Sequence, residues 1–393
     1  MTSGARPLPP EPVVILTGGV VTPIGLDLDA FWSGLLAGGD GLSAIERFPT
    51  GDLRVGRGGE IKKLPPAALG IRSRAVALLV AAASDLRARA RLEAAAERIA
   101  VVVGTALGGV EELERALGGD ATARRALDAL YDSPGHALAA WLGARGPAVT
   151  VSSACASGAT ALGIGADLLR DDAADLVVAG GYDVLCRFVM RGFDALRALT
   201  RERVRPFDRR RSGLLLGEAA GLVLLARERD ARGTRLGRLL GHGSASDASH
   251  VAAPDPEGRG LEAAVRAALD TAGIGAADVD FVSAHGTATP LNDRIEAAVL
   301  RRVLGARADA VPVNSIKGSL GHTMGAAATL EAIMGLLAAR DGLIPPTVGH
   351  EEPDPECALD CVAGACRPAR PRLMLSTSLG FGGCNAALVL EGV

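Results

Sequence analysis

The sequence predicts an α/β protein built from parallel strands that are covered by helices. Short apolar segments rich in β-branched residues alternate with longer, alanine-rich segments that are typical of helices. The same alternation occurs before and after the glycine- and arginine-rich stretch 233–243. Strand–helix–strand alternation favours parallel sheets with helices on their faces, and its recurrence indicates a duplicated fold.

The individual elements follow from these patterns, with residues 1–235 forming an N-terminal half and residues 236–393 a C-terminal half. In the N-terminal half, apolar segments mostly bounded by glycine predict strands at 13–18, 99–104, 148–153, 175–181 and 221–228, with helices at 72–90 and 156–170. In the C-terminal half, the same criteria predict strands at 280–286, 311–318, 373–380 and 385–392, with helices at 261–272 and 324–341.

The composition excludes several classes of protein. Hydrophobic residues make up 48% of the 393 residues, which is enough for a large core. A net charge of −3 argues against a nucleic-acid-binding protein, which usually has a basic face. Six scattered cysteines in a large, core-rich chain indicate reduced thiols rather than disulfides. No uncharged apolar run reaches about 18 residues, so we expect a soluble, cytoplasmic protein without a membrane segment.

Cys155 is the first candidate functional residue, within VSSACASGATALGIGADLLR. It lies between a predicted buried strand and a predicted helix, so it is placed at a helix N-terminus. Unpaired backbone N–H groups and the helix dipole favour a thiolate there, and the N–H of Cys155 can donate to an oxyanion. A small buried cysteine in a tight turn is the alternative that this segment alone leaves open.

Two histidines and a lysine follow strand ends in the C-terminal half. His285 begins the segment HGTATPLND, in which Thr287 and Thr289 are close by. Lys317 and His322 lie in SIKGSLGHTMGAAATLEAIMGLL, just before an alanine-rich helix. A helix N-terminus disfavours imidazolium, so His322 is expected to be neutral and able to donate a hydrogen bond. The ends of strands in α/β sheets are common places for functional side chains.

A glycine-rich turn near the C-terminus carries a further candidate, Phe381, in STSLGFGGCNAALVL. Glycines on both sides of this residue allow unusual backbone angles and close approach to a ligand. A simple turn between two core strands is the alternative.

These segments together carry a resemblance to a known family. In order, the chain contains ACASGA around Cys155, then RPFDRRRSGLLLGEAAG, HGTATPLND, KGSLGH and GFGG. The chain therefore resembles the β-ketoacyl synthase family, specifically the elongating ketosynthases of type II fatty acid and polyketide systems, nearly from end to end. The resemblance implies a thiolase-like fold, with duplicated βαβαβαββ halves stacked in five αβαβα layers. It also implies a Cys-His-His site made of Cys155, His285 and His322.

The resemblance further implies an activity and roles for supporting residues. An acyl group on Cys155 would undergo decarboxylative Claisen condensation with a malonyl group, in fatty acid or polyketide (including polyene) biosynthesis. Lys317 would orient the histidines through Glu296, and Phe381 would belong to the oxyanion hole or a gate. Phe193 would lie at the acyl pocket, and Thr287 and Thr289 would hold the pantetheine arm. No metal or redox cofactor is implied, because the substrates are carried on the phosphopantetheine of acyl carrier protein.

The expected partners are an acyl carrier protein and a second subunit. Carrier proteins are acidic, so a basic entrance is expected, and its candidates are Lys62, Lys63, Arg72, Arg197, Arg201 and Arg203. Family members are dimers, and the stretch 108–146, which lies at their dimer interface, is abbreviated here. The chain is therefore expected to form a homodimer, or a heterodimer with a subunit that resembles a chain-length factor.

Three alternative assignments were weighed against this one. A biosynthetic thiolase shares the fold and would use Cys384, but it lacks the HGT and KGxxGH motifs. A non-catalytic chain-length subunit would replace the nucleophile, whereas this chain retains Cys155. Cys357, Cys361 and Cys366 do not have the tight C-x2-C spacing of zinc sites, so no metal is expected.

Overall fold

The computed structural model describes residues 11–120 and 122–393. Within them, the main sheet contains eleven strands. They are β1 (Val13–Val21), β2 (Ile99–Gly104), β3 (Ala148–Val151), β4 (Leu176–Asp183), β5 (Ala219–Arg227), β6 (Gly237–Ser246), β7 (Phe281–Ser283), β8 (Pro312–Asn314), β9 (Asp360–Cys361), β10 (Leu373–Gly380) and β11 (Cys384–Gly392). Two further pairs of two-residue strands, Ser43–Ala44 with Arg57–Gly58 and Leu343–Ile344 with Arg367–Pro368, lie outside it.

The α-helices of the described residues connect and cover these strands. They are α1 (Leu28–Leu36), α2 (Arg74–Arg89), α3 (Val110–Leu117), α4 (Ala123–Asp128), α5 (Ser133–Leu142), α6 (Ser157–Arg170), α7 (Arg187–Ala195), α8 (Arg259–Ala272), α9 (Pro290–Leu304), α10 (Lys317–Leu320) and α11 (Ala327–Asp341). None of them is long and apolar enough to cross a membrane.

The sheet has two similar halves that meet in the middle. Its strand order is β9-β8-β7-β10-β11-β6-β1-β5-β4-β2-β3. The outer strands of each half run parallel, as the alternation of strands and helices predicts. The inner strands are antiparallel, and residues 13–15 of β1 pair with residues 237–239 of β6 to join the halves. The sequence did not predict this antiparallel junction.

The helices occupy three layers, which confirms the five-layer arrangement. Helices α6 and α11 lie between the two halves, and each contacts strands of both. Helices α2 and α5 cover the outer face of the N-terminal half, whereas α8 and α9 cover that of the C-terminal half. Three hydrophobic cores lie between these layers: one surrounds the central helices, and one lies beneath each outer pair of helices.

The two kinds of helix differ in sequence because they differ in burial. Helix α8 buries one stripe that includes Leu261, Val265 and Leu269, and its opposite face carries charged side chains. Helix α11 is buried on every side from Ala327 to Ala338. A helix that is apolar all round belongs in a core, which explains its central position. The predicted helix 324–341 begins in the structure as a tight turn, and α11 itself starts at Ala327.

The abbreviated stretch 108–146 folds into three short helices, α3, α4 and α5. Helix α3 packs against α4 and α7, and α5 packs against α2 and the edge strand β3. Several large apolar side chains on this face are exposed, including Leu117 at 81% and Leu127 at 63%. Such an accumulation of exposed apolar side chains is unusual for a monomer surface.

Candidate active site

Cys155 lies in a tight corner between β3 and α6. The residue before it, Ala154, has a left-handed φ of 51°, and α6 begins two residues after it at Ser157. The Ser157 hydroxyl holds the corner, because it accepts the N–H of Ser153 at 2.9 Å and donates to the Ala154 carbonyl at 2.5 Å. The Gly380 backbone packs directly on it, since a Cβ there would lie 3.1 Å from the Cys155 nitrogen. The thiol itself is buried, with 5% exposure.

Burial also determines the protonation state of this thiol. It raises the pKa of Cys155 to about 12, and the nearby carboxylate of Asp183 acts in the same direction. The Lys317 ammonium and the backbone N–H groups of Phe381 and Cys155 lower the pKa, but not enough to reverse the effect. The expectation that the helix start favours a thiolate at rest is therefore wrong, because desolvation outweighs the helix terminus.

His285 and His322 form a perpendicular pair beside the thiol. Their ring centroids are 5.2 Å apart, and the ring planes meet at 90°. Both side chains are 2% exposed, and burial holds the pKa of each well below its usual value. The Lys317 charge lowers both pKa values further. Both imidazoles are therefore neutral at pH 7, and neither Nδ1 has a hydrogen-bond partner in the described residues.

The cause of His322 neutrality differs from the one the sequence suggested. His322 is not at a helix N-terminus, because α11 starts five residues later. Its backbone is instead fixed by the strand-like segment before β5: its N–H donates to the Leu215 carbonyl at 2.7 Å, and its carbonyl accepts the Gly217 N–H at 3.0 Å. Burial and Lys317, rather than a helix dipole, keep this imidazole uncharged.

Glu296 holds the backbone of the other histidine. Its carboxylate accepts the N–H of His285 at 2.7 Å, the N–H of Gly286 at 2.8 Å and the hydroxyl of Thr377 at 2.6 Å. The side chain is fully buried in α9. Glu296 therefore fixes the position of the backbone at His285 and Gly286, and these hydrogen bonds go to the backbone rather than to the imidazole.

Lys317 pairs with Glu331 rather than with Glu296, which corrects the sequence-based assignment. Its ammonium lies 2.5 Å from the Glu331 carboxylate, and the two side chains are 2% and 1% exposed. Burial raises the pKa of Glu296, and the charge of Lys317 acts in the opposite direction without a hydrogen bond to that residue. Sequence reasoning missed Glu331, although a lone carboxylate in the buried helix α11 is a signal, since buried charges need partners.

One cavity of about 450 Å³ connects the thiol and the histidines with solvent. Phe193 and Phe381 form one wall, with ring centroids 5.2 Å apart and planes tilted by 32°. Thr287 and Thr289 line another part, and their hydroxyls are 3.1 Å apart. The rest of the lining is mainly apolar: Leu196, Ala198, Leu214, Ala252, Ala253, Pro254, Pro290, Leu291 and Leu379. The structure therefore brings together the predicted residues around one narrow cavity.

The predicted basic entrance is only partly available. Arg197 is exposed and lines the mouth of the cavity. Lys63, Arg72 and Arg201 are exposed, and none of these four residues forms an ion pair within the described part of the chain. The other two candidates are already occupied by acids. Lys62 is paired with Glu46 and Glu60, and Arg203 lies 3.0 Å from Glu351.

The remaining cysteines and histidines lie away from this chemistry, with one exception. Cys357 and Cys361 are buried in the outer core of the C-terminal half, and no metal-binding group of three or more suitable side chains occurs in residues 11–120 and 122–393. Cys384 does not line the cavity. His250, which is not among the residues that the sequence predicted for the site, does line it, and its Nδ1 accepts two backbone N–H groups at 2.9 and 3.0 Å.

Comparison with known proteins finds relatives over almost the whole chain. Residues 10–231 match the β-ketoacyl synthase N-terminal domain, and residues 236–351 match the C-terminal domain. The chain is 37% identical to the tetracenomycin polyketide synthase ketoacyl synthase alpha subunit of Streptomyces glaucescens, over 97% of each chain. It is 33% identical to 3-oxoacyl-[acyl-carrier-protein] synthase 2 of Synechocystis, over 96% of this chain and 97% of the relative.

Solved structures with the same architecture include two described with chain length factors. The ishigamide ketosynthase/chain length factor superposes with a TM-score of 0.88 at 33% identity, over 98% of this chain and all of the matched chain. A ketosynthase in complex with its chain length factor from Xenorhabdus doucetiae gives 0.83 at 30% identity, over 98% of each chain.

Proposed function

This chain belongs to the β-ketoacyl synthase family and is an acyltransferase of the 3-oxoacyl-[acyl-carrier-protein] synthase type, and from that premise we propose how its own residues perform the condensation. The observation that carries the proposal is the meeting of one buried thiol and two neutral, perpendicular imidazoles at the end of a single cavity. Cys155 carries the acyl group, and His285 and His322 stabilise the charge that develops on the extender.

In the first half-reaction, the Cys155 sulfur attacks the carbonyl of an acyl thioester. The bond from that carbonyl to the pantetheine sulfur breaks, and the proton lost from Cys155 leaves with the pantetheine thiol. The backbone N–H groups of Cys155 and Phe381, which both act on the sulfur in the resting site, are the proposed donors to the oxyanion. A buried thiol with a high pKa stays protonated until substrate arrives, which protects it from oxidation.

In the second half-reaction, a malonyl thioester loses carbon dioxide and its carbon attacks the acyl-cysteine. The electron pair of the breaking C–C bond first moves onto the thioester oxygen, where His285 and His322 donate hydrogen bonds. The new C–C bond then displaces the Cys155 sulfur as a thiolate, which takes up a proton from solvent. Each donor aimed at such developing charge contributes about 3 kcal/mol. The orphaned Nδ1 atoms favour the tautomer with the proton on Nε2, because a buried lone pair costs less than a buried unpaired N–H.

Three pairs of side chains support this arrangement. Burial keeps both imidazoles neutral, and the Lys317 ammonium, which is held by Glu331, lowers their pKa values further. Thr287 and Thr289 are the proposed contacts of the pantetheine arm, because their hydroxyls line the cavity. Phe193 and Phe381 form the wall against which the acyl chain packs. No metal or redox group enters any step.

A two-part experiment tests this function directly. The purified protein is first incubated with acyl thioesters, and intact-mass spectrometry followed by peptide mapping locates the added acyl group. It is then given a malonyl thioester, and carbon dioxide release is measured. Acylation on Cys155 together with carbon dioxide release supports the proposal. Condensation with an acetyl rather than a malonyl thioester would instead indicate a thiolase, and absence of both activities would contradict the proposal.

For substrate supply, we propose a discrete acyl carrier protein of a type II fatty acid or polyketide system. Relatives named for both kinds of pathway align over almost the whole chain. An acidic carrier suits the exposed Arg197 at the cavity mouth, together with Lys63, Arg72 and Arg201. The cytoplasm is the proposed location, since its reducing conditions keep the Cys155 thiol free.

For assembly, we propose that two subunits meet at the edge strand β3. All four residues of this strand are half-buried, and β3 is the last strand of the sheet. An uncovered apolar edge of this kind favours aggregation, so a partner is expected to cover it. The exposed apolar side chains of the neighbouring helices support the same surface, and they include Leu113, Leu117, Leu127, Leu130 and Trp141. The partner is a second copy or a subunit that resembles a chain-length factor, and light scattering of the chain alone and after co-expression separates the two.

A further inference from the structure

Asp183, the last residue of β4, has a buried carboxylate that the proposed mechanism does not use. Its side chain is 0% exposed and accepts four hydrogen bonds. One oxygen accepts from the Thr105 hydroxyl at 2.6 Å and the Leu107 N–H at 3.1 Å, and the other accepts from the Ala106 N–H at 2.9 Å and the Gly325 N–H at 2.6 Å. Burial of a carboxylate costs free energy, and the four hydrogen bonds offset this cost only while all of them remain in place.

These donors belong to two segments on opposite sides of the site. The first, residues 105–107, contacts the nucleophile corner, because the Thr105 carbonyl lies 3.2 Å from the Ser157 hydroxyl oxygen, and that hydroxyl braces the residues around Cys155. The second is the turn that follows His322, in which Gly325 is the third residue. The carboxylate of Asp183 is therefore bound at once to the support of the thiol and to the support of one imidazole.

The turn after His322 needs an external restraint. Met324 adopts a left-handed φ of 50°, which is unfavourable for a side chain of this size. Gly325 sits so close to the N-terminal half that a Cβ would lie 2.7 Å from the Thr105 Cα and 2.8 Å from a carboxylate oxygen of Asp183. The contact with Asp183 is thus one of those that hold the strained turn in this conformation.

We infer that Asp183 is a positioning residue for the condensation step, whose carboxylate fixes the distance between Cys155 and His322 by binding the supports of both. The inference rests on the proposed function, because the separation of thiol and imidazole matters only if both act on substrate. A displacement of about 1 Å in such a geometry can lower a rate about 100-fold.

The protonation of Asp183 gives this role a recognisable pH dependence. Burial raises the pKa of Asp183 to about 6, against the effect of its donors. The titratable groups that interact with it, Cys155, Tyr131 and Tyr182, have pKa values raised to about 12 or well above the usual value, so they stay neutral. Protonation of Asp183 would turn an acceptor oxygen into a donor that faces N–H groups. The four hydrogen bonds that Asp183 accepts are therefore all in place above about pH 6, and they are weakened below it.

The test begins with the wild-type protein and the variant Asp183→Asn. Wild type is first shown to accept an acyl group on Cys155 and to release carbon dioxide from malonyl-N-acetylcysteamine; failure there would overturn the proposed function itself. In Asp183→Asn, kcat for condensation should fall about 10- to 100-fold while KM changes less than about twofold. Acylation should stay within about threefold of wild type, since the Cys155 corner keeps its own hydrogen bonds. The acid limb of kcat near pH 6 should disappear.

Two further variants make the result decisive. Asp85→Asn is the matched control, because Asp85 is also a largely buried aspartate that accepts backbone N–H groups, from Val20 at 3.1 Å and Leu28 at 2.8 Å, and it should leave kcat unchanged. Gly325→Ala disturbs the same contact from the other side while retaining the carboxylate, so kcat should fall and the acid limb should remain. A normal kcat in Gly325→Ala, or equal losses of acylation, kcat and KM in Asp183→Asn, would overturn the inference. If Asp183→Asn does not fold, Gly325→Ala decides alone.

Discussion

The nucleophile corner and the histidine corner experience the same physical environment and respond in opposite directions. Burial raises the pKa of Cys155 to about 12, so the group that must become an anion is neutral at rest. Burial also lowers the pKa of His285 and His322 well below the usual value, so the groups that can become cations are neutral as well. The difference teaches that desolvation disfavours whichever form is charged.

The consequence is that the thiol and both imidazoles carry no charge at rest. The charged groups that act on them are Lys317, which is paired with Glu331, and Asp183, which acts on Cys155. Negative charge on the thioester oxygen develops only when substrate reacts, and donors already in place then stabilise the transition state more than the ground state. The following predictions test the two corners separately, in order of expected effect.

Removal of the nucleophile should have the largest effect. Cys155→Ala should abolish acyl-enzyme formation, because no other cysteine lines the cavity. Intact-mass spectrometry after incubation with an acyl thioester measures this. Cys186→Ala removes another buried cysteine from a different core and should acylate normally. An acylated Cys155→Ala protein would contradict the assignment.

Loss of either imidazole should separate the two half-reactions. His285→Ala and His322→Ala should each lower carbon dioxide release from a malonyl thioester by about 100-fold or more, because one donor to the enolate oxygen is lost. Acylation of Cys155 should continue in both variants. His242→Ala is the matched control, since His242 is half-buried in β6, outside the cavity lining. Normal carbon dioxide release from either site variant would refute the shared role.

Changes to the ion pair should move the pH dependence of the histidine corner. Lys317 lowers the pKa of both imidazoles, so Lys317→Ala should let those pKa values rise. Because the neutral form is the active one, the acid limb of carbon dioxide release should then shift to higher pH. Glu331→Gln should shift the limb the other way, since it leaves the Lys317 charge unneutralised.

The exposed Lys63 provides the control for this prediction. Lys63→Ala removes the same type of side chain from the surface and should leave the pH profile of small thioesters unchanged. An unshifted acid limb in folded Lys317→Ala would mean that Lys317 does not control the imidazoles.

The smallest effect is expected at the carrier entrance. The double variant Lys63→Glu with Arg197→Glu should raise KM for carrier-bound substrate about 5- to 20-fold, more at low salt, and leave small thioesters unaffected. Arg91→Glu with Arg232→Glu reverses two exposed arginines at the opposite end of the sheet and should change neither. Equal effects on carrier-bound and small substrates would mean that the carrier docks elsewhere.

The parts of the fold that follow from local pattern could be predicted from the sequence. The buried strand Ile99–Gly104 and the helix Ser157–Arg170 are recognisable because their periodicity and flanking glycines agree with their tertiary environment. The antiparallel pairing of β1 with β6 could not be predicted, because the local sequence of a strand does not indicate which distant strand will pair with it. The length of the strands before Cys155, His285 and Lys317 was overestimated, since the chain leaves the sheet before the functional residue.

The residues of the candidate site also divide into those that could be predicted from the sequence and those that could not. Cys155, His285, His322 and Lys317 could be identified because each stands in a glycine-rich segment at the end of a strand. The partner of Lys317 was harder to identify, because Glu331 is separated from it by 14 residues and lies in a helix that is mostly apolar. Asp183 gave no signal at all, since its donors are one hydroxyl and three backbone N–H groups from distant parts of the chain.

The central claim is that both active-site imidazoles are neutral at working pH, and ¹⁵N NMR of protein labelled at histidine tests it most directly. The chain has six histidines, so His285→Gln and His322→Gln assign the two relevant sets of signals. The account predicts that both imidazoles show the shifts of the neutral tautomer with the proton on Nε2 from pH 8 down to pH 6, because burial and Lys317 lower their pKa values. Imidazolium shifts, or titration of either ring at or above pH 6.5, would contradict it.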